Sequence, residues 1–288
     1  FWMIEPEMAF YDLDMNMDLI EEMLRYVVND VVKRCPEAFR VLGRDIDPLL
    51  TVNETFPRIS YDHAVQILRS ELEVNGMTAK SFLEGTIEKE IQKQQKVAQE
   101  IEEREAAAMD MNTKKGVRNF NRSKADSLKQ ELKQIEENLR NYPQWLESAS
   151  NFTHGEDFGG SDETVLTMLY GCPIMVYRWP KAIKAFYMKV DEDHKDYAKG
   201  VDLLAPEGYG EIVGGGERET DIDYLLEQIK QHNLPQDGYE WYLDLRRYGN
   251  VPHSGFGLGL ERLLCWVCKL DHIREAIPFP RTSQRLEP

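Results

Sequence analysis

Two stretches of this chain set glycines and an arginine at spacings that could do chemistry. In Val251–Cys268 (VPHSGFGLGLERLLCWVC), Gly255, Gly257 and Gly259 alternate after His253 and Ser254, at the end of a strand. Glu261 and Arg262 then open an apolar helix through Leu263, Leu264, Trp266 and Val267. Glycine at alternate strand positions strips the side chains from one face, so a flat ligand can lie on bare backbone. Arg262 would project from the first helical turn over that floor, where a guanidinium can stack on a purine or neutralise a phosphate. No GK[ST] follows, and the third glycine comes too early for G-x-G-x-x-G, so neither common phosphate loop is present.

The second stretch is Glu211-Ile212-Val213-Gly214-Gly215-Gly216-Glu217-Arg218. Asp202 and Glu211 lie in two strands either side of the turn Pro206-Glu207-Gly208, so both could face one cavity. Two carboxylates beside a glycine floor suit one or two Mg²⁺ ions carrying polyphosphate oxygens. A buried Arg218 would fork onto a carboxylate or amide of a small ligand. Taken alone this is a hairpin with a surface Arg–Glu pair. A second glycine-plus-arginine device in one chain points instead to a nucleotide and an amino-acid-like ligand. His253 could act as a base, but no Ser or Cys nucleophile pattern accompanies it, so it reads as a structural or substrate-lining residue.

The elements that must position these groups belong to a compact fold. The 288 residues are 42% hydrophobic, and no apolar run approaches the ~20 residues of a membrane span. Nothing resembles a signal peptide, and the chain opens at Phe1 in mid-pattern, which predicts a piece trimmed upstream. A net charge of −16 argues against nonspecific nucleic-acid binding by the whole surface, while allowing a local basic groove. The scattered cysteines Cys35, Cys172, Cys265 and Cys268 suit a reducing cytoplasm. Cys265 and Cys268 form a lone CxxC with apolar flanks, which reads as core packing.

Phe1–Phe10 alternates as a strand with Phe1, Met3, Glu5 and Glu7 on one face. Asn16 or Asp18 is expected to cap a helix that stops before Pro36, and Asp62 to cap another carrying Ala64, Val65, Ile67 and Leu68. Residues 82–145 turn rich in Glu, Gln, Lys and Arg, with seams at Ile87, Ile91, Val97, Ile101 and at Leu128, Leu132, Ile135, Leu139. They predict an inserted antiparallel helical hairpin with its turn in Asn112–Asn121. Its basic tip (Lys114, Lys115, Arg118, Arg122, Lys124) could touch RNA, although charge runs are usually solvated faces. Gly155–Leu166 is a glycine-rich loop entering a helix, and Asp221–Gln231 another helix. Strands are predicted at Pro173–Tyr177, Ile183–Val190, Gly200–Leu204, Gly210–Val213 and Glu240–Tyr248. Strands in succession imply an α+β fold: an antiparallel sheet flanked by helices, with core segments 1–81 and 146–288 around the insertion.

GFGLGLERLLCWV resembles motif 3 of the class II aminoacyl-tRNA synthetases. FWMIEPEMAF, RISY, PKAIKAFYMK, DLLAPEGYGEIVGGGERE, EWYLDLRRYGNVPHSGFGLGLERL and HIREAIPFPRT resemble, in order, the asparaginyl branch; the hairpin does not match the family core. The resemblance implies that Phe1 stacks on the adenine of ATP and Arg262 covers its other side near the γ-phosphate, with Gly257, Gly259, Leu260 and Glu261 around them. Glu211 would bind Mg²⁺ and ATP, with Asp202 as a second metal ligand, and Gly214 stands where aspartyl relatives carry a serine. Arg218 would hold the amino-acid side-chain oxygen, with Glu163 and Gly255 also lining that site; Glu217 replaces the usual glutamine and is given no ligand. The implied activity is ligation of asparagine to tRNA(Asn) through an adenylate by a cytoplasmic homodimer. His253-Ser254-Gly255 favours asparagine over aspartate. Alternatives are an aspartyl-tRNA synthetase, an asparagine synthetase on the same core, or a truncated, non-catalytic binding paralogue. The anticodon-binding domain, motif 1 and the first half of motif 2 have no counterpart here, so the chain alone is expected to be a poor enzyme.

Overall fold

The computed structural model describes residues 1–110 and 112–287. In chain order the elements are β1 (Met3–Ile4), β2 (Glu7–Ala9), α1 (Leu13–Arg34), α2 (Pro36–Leu42), α3 (Asp47–Leu50), β3 (Arg58–Ser60), α4 (Tyr61–Leu68), α5 (Ala79–Met109), α6 (Lys115–Ser150), α7 (Gly160–Tyr170), β4 (Ile174–Pro180), β5 (Tyr197–Ala205), β6 (Gly210–Glu217), α8 (Ile222–Gln231), α9 (Glu240–Gly249), β7 (His253–Gly259) and α10 (Leu260–Cys268). They divide into two units, residues 1–66 with 153–288, and residues 67–152.

The first unit is built on one sheet in the order β1-β7-β6-β5-β4-β3, with β2 also paired to β7. All pairs are antiparallel except β3 with β4. The expected sheet is therefore found, with one parallel pair at its edge. Pro6 lacks an amide donor, and the predicted first strand is accordingly split into β1 and β2 on either side of it. Met17, Ile20, Leu24 and Val28 of α1 form one buried stripe and join Val201, Leu203, Val213, Phe256, Leu258 and Trp266 in the core. No helix among the described residues is long and apolar enough to cross a membrane.

Several expectations are corrected. The cap of α1 is Asp12, which accepts from Met15 N, while Asn16 lies a turn inside and is fully buried. Ser60 Oγ, not Asp62, accepts an amide at the start of α4, from His63; the Asp62 carboxylate takes Tyr197 Oη and His154 Nε2, each at 2.8 Å. Ile183–Val190 is not a strand: Lys181–Ile183 is a 3₁₀ turn, and the backbone of the rest pairs only in isolated bridges at Met188 and Val190. Glu240–Tyr248 is the helix α9, burying Leu243 and Arg246; its alternating Trp241, Leu243 and Leu245 mimic a strand pattern.

The second unit carries the two long helices α5 and α6. Thr78 and Ser81 form a capping box that starts α5. The turn is shorter than expected, since α6 already begins at Lys115, and α6 continues through Pro143 to Ser150. Val97, Ile101, Leu128 and Ile135 make the buried seam, with Leu132 and Leu139 packed against it, whereas Ile91 stays exposed. Ile135→Ala should remove roughly 2–5 kcal/mol from this small seam. Hydrogen exchange should then show lost amide protection through α5 and α6, and protection left unchanged would contradict the seam.

Candidate active site

The register of β6 on β7 sets Gly214 opposite Gly257 and Gly216 opposite Gly255, so bare positions of both strands share one face. Met3 pairs with Gly259 and Glu7 with Gly255 on that face. A Cβ at Gly257 would meet the Met3 side chain, and one at Gly255 the Glu7 carboxyl. Gly255 therefore makes room for Glu7 and does not face an open cleft. Gly214 is crowded from the other side, because a Cβ there would stand 2.7 Å from Glu211 Oε1 and 3.4 Å from Asp202 Oδ1.

Two cavities open over this floor and share Met3, Glu211 and Gly257. The larger, about 660 Å³, is lined by Glu5, Glu7, Tyr187, Arg218 and His253 among others. The smaller, about 390 Å³, has Phe1 and Arg262 in its wall with Gly259. Residues from both ends of the chain thus meet at one place. Phe1 is 97% exposed, with its ring free to contact a ligand. Its neighbour Trp2 is tied down: Leu260 N donates to Trp2 O, and both Glu261 carboxylate oxygens accept from Trp2 N at 3.0 Å. Leu260 and Glu261 hence position Phe1 by their polar groups. Arg262 lies along Gly259 and donates from Nη1 to Glu211 O at 2.5 Å.

In the larger cavity Arg218 forks onto Glu7, with Nη2–Oε1 at 2.7 Å and Nε–Oε1 at 3.1 Å, and lies over the Tyr187 ring at 5.3 Å. Arg218 is thus paired with an acid from the chain's first strands and not with one of its own hairpin. A planar fork already holding a carboxylate is shaped to receive a planar ligand group. His253 Nδ1 donates to Val251 O, which supports a structural role. Glu217 sits nearby but buried, bound by Lys189 Nζ at 2.6 Å.

The acidic residues are arranged by charge. Asp202 is buried and receives Lys184 Nζ at 2.5 Å, and that ammonium also lies 4.0 Å from the centre of the Trp179 ring. Burial pushes the Asp202 carboxyl up against the pull of Lys184. Glu163, on α7, accepts from Glu211 N at 3.2 Å and lines neither cavity. Burial, opposed by that hydrogen bond and reinforced by Glu211 and Asp202, pushes it up to about 7. Glu211 is left open to the cleft. Among the described residues no three His, Cys, Asp or Glu side chains converge as a metal cage. Glu211, with Glu5 on the same cleft, suits a hard cation carried in on phosphate oxygens more than an all-protein metal site.

Lys184 and Tyr187 escaped assignment from sequence, whereas Glu7 was reached as one of two carboxylates that share a strand face with Phe1. Glu7 had a signal, its period-2 placement beside Met3 and Glu5. Lys184 sits in an aromatic, cationic run that gives no hint of its buried partner.

Gly214→Ala should displace the mobile end of Glu211 and lower activity while the melting temperature barely changes. Gly215→Ala drives a methyl against Phe256 Cα and Gly255 O and should cost roughly 1–3 kcal/mol in thermal unfolding. Equal melting temperatures for the two variants would refute this division. Glu163 has a folded-state value above its ordinary 4.5, so folding favours its protonated form and stability falls as pH rises from about 4.5 to about 7. Glu163→Gln should flatten that decline in denaturant unfolding measured across the window; an unaltered slope would count against it.

The family model for class II tRNA synthetases (D, K and N) matches residues 1–283. The asparagine--tRNA ligases of Desulforamulus reducens and Sorangium cellulosum are 38% and 41% identical, over all of this chain and 49% and 50% of theirs. The chain spans about half the length of the curated relatives it matches. Asparaginyl-tRNA synthetase from Pyrococcus horikoshii superposes with TM-score 0.70 at 36% identity, over 100% of this chain and 50% of that one. The Entamoeba histolytica enzyme, in complex with asparaginyl-adenylate, gives 0.65 at 26% identity, over 99% and 48%. With its glycine floor, its paired cavities and a family match along nearly its whole length, this chain belongs to the class II tRNA synthetases of the D, K and N group.

Proposed function

We propose that this chain is the catalytic part of an asparagine--tRNA ligase. Its observational basis is the meeting of Phe1 and Arg262 across one cavity, with Arg218 in the next and Glu211 in both. Relatives bearing that name along the whole of this chain support it, as does a solved asparaginyl-adenylate complex of the Pyrococcus horikoshii enzyme.

In this reading the adenine of ATP lies between the Phe1 ring and the Arg262 guanidinium, over Gly257 and Gly259, with Leu260 and Glu261 holding the strand that carries Phe1. Arg218 presents its fork to the asparagine side-chain oxygen, beside Glu7. The asparagine carboxylate attacks the α-phosphate in line, pyrophosphate leaves, and a terminal ribose hydroxyl of tRNA(Asn) then takes the acyl group, releasing AMP. The protein's work is alignment and charge neutralisation, with no covalent enzyme intermediate. Mg²⁺, when bound, would neutralise polyphosphate charge. Glu211 is the residue to hold it, whereas Asp202 faces Lys184 and would contribute only after leaving that ammonium. Gly214 keeps the approach to Glu211 clear. Glu163 acts from behind the cleft, through the Glu211 amide. A homodimer in the cytoplasm completes the assignment, supported by the resemblance and by the scattered reduced cysteines.

Asparagine recognition over aspartate rests on donors and acceptors around the amide, since one unmatched buried polar group costs ~1–3 kcal/mol. ATP–pyrophosphate exchange by the intact protein should therefore depend on asparagine and not on aspartate, and Arg262→Ala should lower it roughly 100-fold or more. Equal exchange with aspartate would move the assignment to the aspartyl enzyme. No exchange with either would leave a binding paralogue.

A further inference from the structure

We propose that the tip of the α5–α6 hairpin is an RNA-contacting surface. The proposal draws on the preceding assignment only for which RNA to offer. Residues 106–124 carry five cations against one carboxylate, Asp110, in a chain of net charge −16. The legs behind them have the opposite balance: seven carboxylates against five cations in residues 79–105, and five against three in 125–150. The single acid is engaged within the turn, accepting from Asn112 N and Thr113 Oγ1 at 2.9 Å each. Lys114, Lys115, Arg122 and Lys124 are exposed, and among the described residues none of them forms an ion pair.

The placement also opposes what a helix prefers. Lys114 and Lys115 stand at the positive N-terminal end of α6, with no side-chain cap, while Asp110 follows the negative end of α5. Each cation there costs some tenths of a kcal/mol that an Asp or Ser would have gained. A local rule broken repeatedly at one spot marks a functional surface more than a solubility device. Phe120 is 63% exposed, one turn before Lys124, so a π-face sits among the cations. Cations for phosphates and an aromatic for an unpaired base are the pair of features that bind RNA loops and single strands. A bilayer is the poorer fit, because Val117 and Phe120 are the only large exposed apolar residues in 112–124 and two side chains make no wide apolar face.

The test uses the intact protein and a variant with Lys114→Ala, Lys115→Ala, Arg122→Ala and Lys124→Ala, which keeps helix propensity and relieves the α6 terminus. Binding of a tRNA(Asn) transcript is measured from about 50 to 200 mM salt. The variant should lose about 3 from the slope of log affinity against log salt, at ~0.7–0.9 per phosphate contact. Its melting temperature should stay or rise, and its exchange of pyrophosphate with asparagine should be unchanged. Phe120→Ala should weaken binding with the salt slope intact. Identical slopes and affinities in the unaltered and four-alanine proteins would overturn the proposal. Loss of binding to phosphatidylserine vesicles with RNA binding intact would overturn it in favour of a membrane. If the unaltered protein shows no asparagine-dependent exchange, the activity assignment fails, and the slope difference on the same RNA still decides the hairpin.

Discussion

The register of β7 between β6 and the first strands is the constraint from which the site follows. Gly257 opposite Gly214 and Gly259 opposite Met3 expose bare backbone on one face, while Phe256 and Leu258 turn into the core. Slipping β7 by one residue would exchange the faces and put Phe256 and Leu258 where the cavities now open. Gly215 explains why the strand cannot drift: it packs against Phe256 so closely that even a methyl would not fit. The same glycine run serves two faces for two reasons, clearance on one and core density on the other.

That register is held by side chains far apart in sequence. Asn16 Nδ2 donates to Gly255 O at 3.2 Å, and Ser254 Oγ to Tyr11 O at 2.8 Å. At the far end of α10, buried Arg44 donates to Val267 O and Trp266 O and forks onto Glu207 in the β5–β6 turn. Arg44 thus fixes the helix that presents Arg262 to the strands that present Glu211. Closing a chain of some 250 residues between β1 and β7 carries an entropic cost, which this set of contacts must offset.

What the sequence made legible follows period and spacing. The glycine alternation located the floor, and Arg262 three residues after Gly259 located the group above it. The α1 stripe and the hairpin seams were readable because one face of each is buried. Tertiary context defeated the rest. Trp241, Leu243 and Leu245 alternate like a strand, yet only Leu243 is buried, so the pattern was never an inside–outside code. The run at 183–190 is rich in aromatic residues, but no neighbour offers it a full ladder. Pairs such as Arg218 with Glu7 join residues 211 positions apart, and no local pattern encodes them.

Under the proposed activity a chain of net charge −16 would have to receive a polyphosphate, and the site eases that electrostatic conflict locally. Glu7 is matched by Arg218, and Asp202 by Lys184. Glu163 is kept largely protonated below about pH 7 by its burial. Glu211 remains, with only a loose approach of Arg262 Nη1 at 3.9 Å, and Glu5 lines the same cleft. Coulomb energy between buried or half-buried charges falls slowly with distance, so each pairing matters across the whole cleft. Had Asp202 and Glu163 stood charged and unpaired behind Glu211, three like charges would have repelled an anionic ligand from within hydrogen-bonding reach. By neutralising the rear carboxylates and leaving Glu211 and Glu5 on the cleft, the fold limits the negative charge that the proposed polyphosphate and its cation would meet.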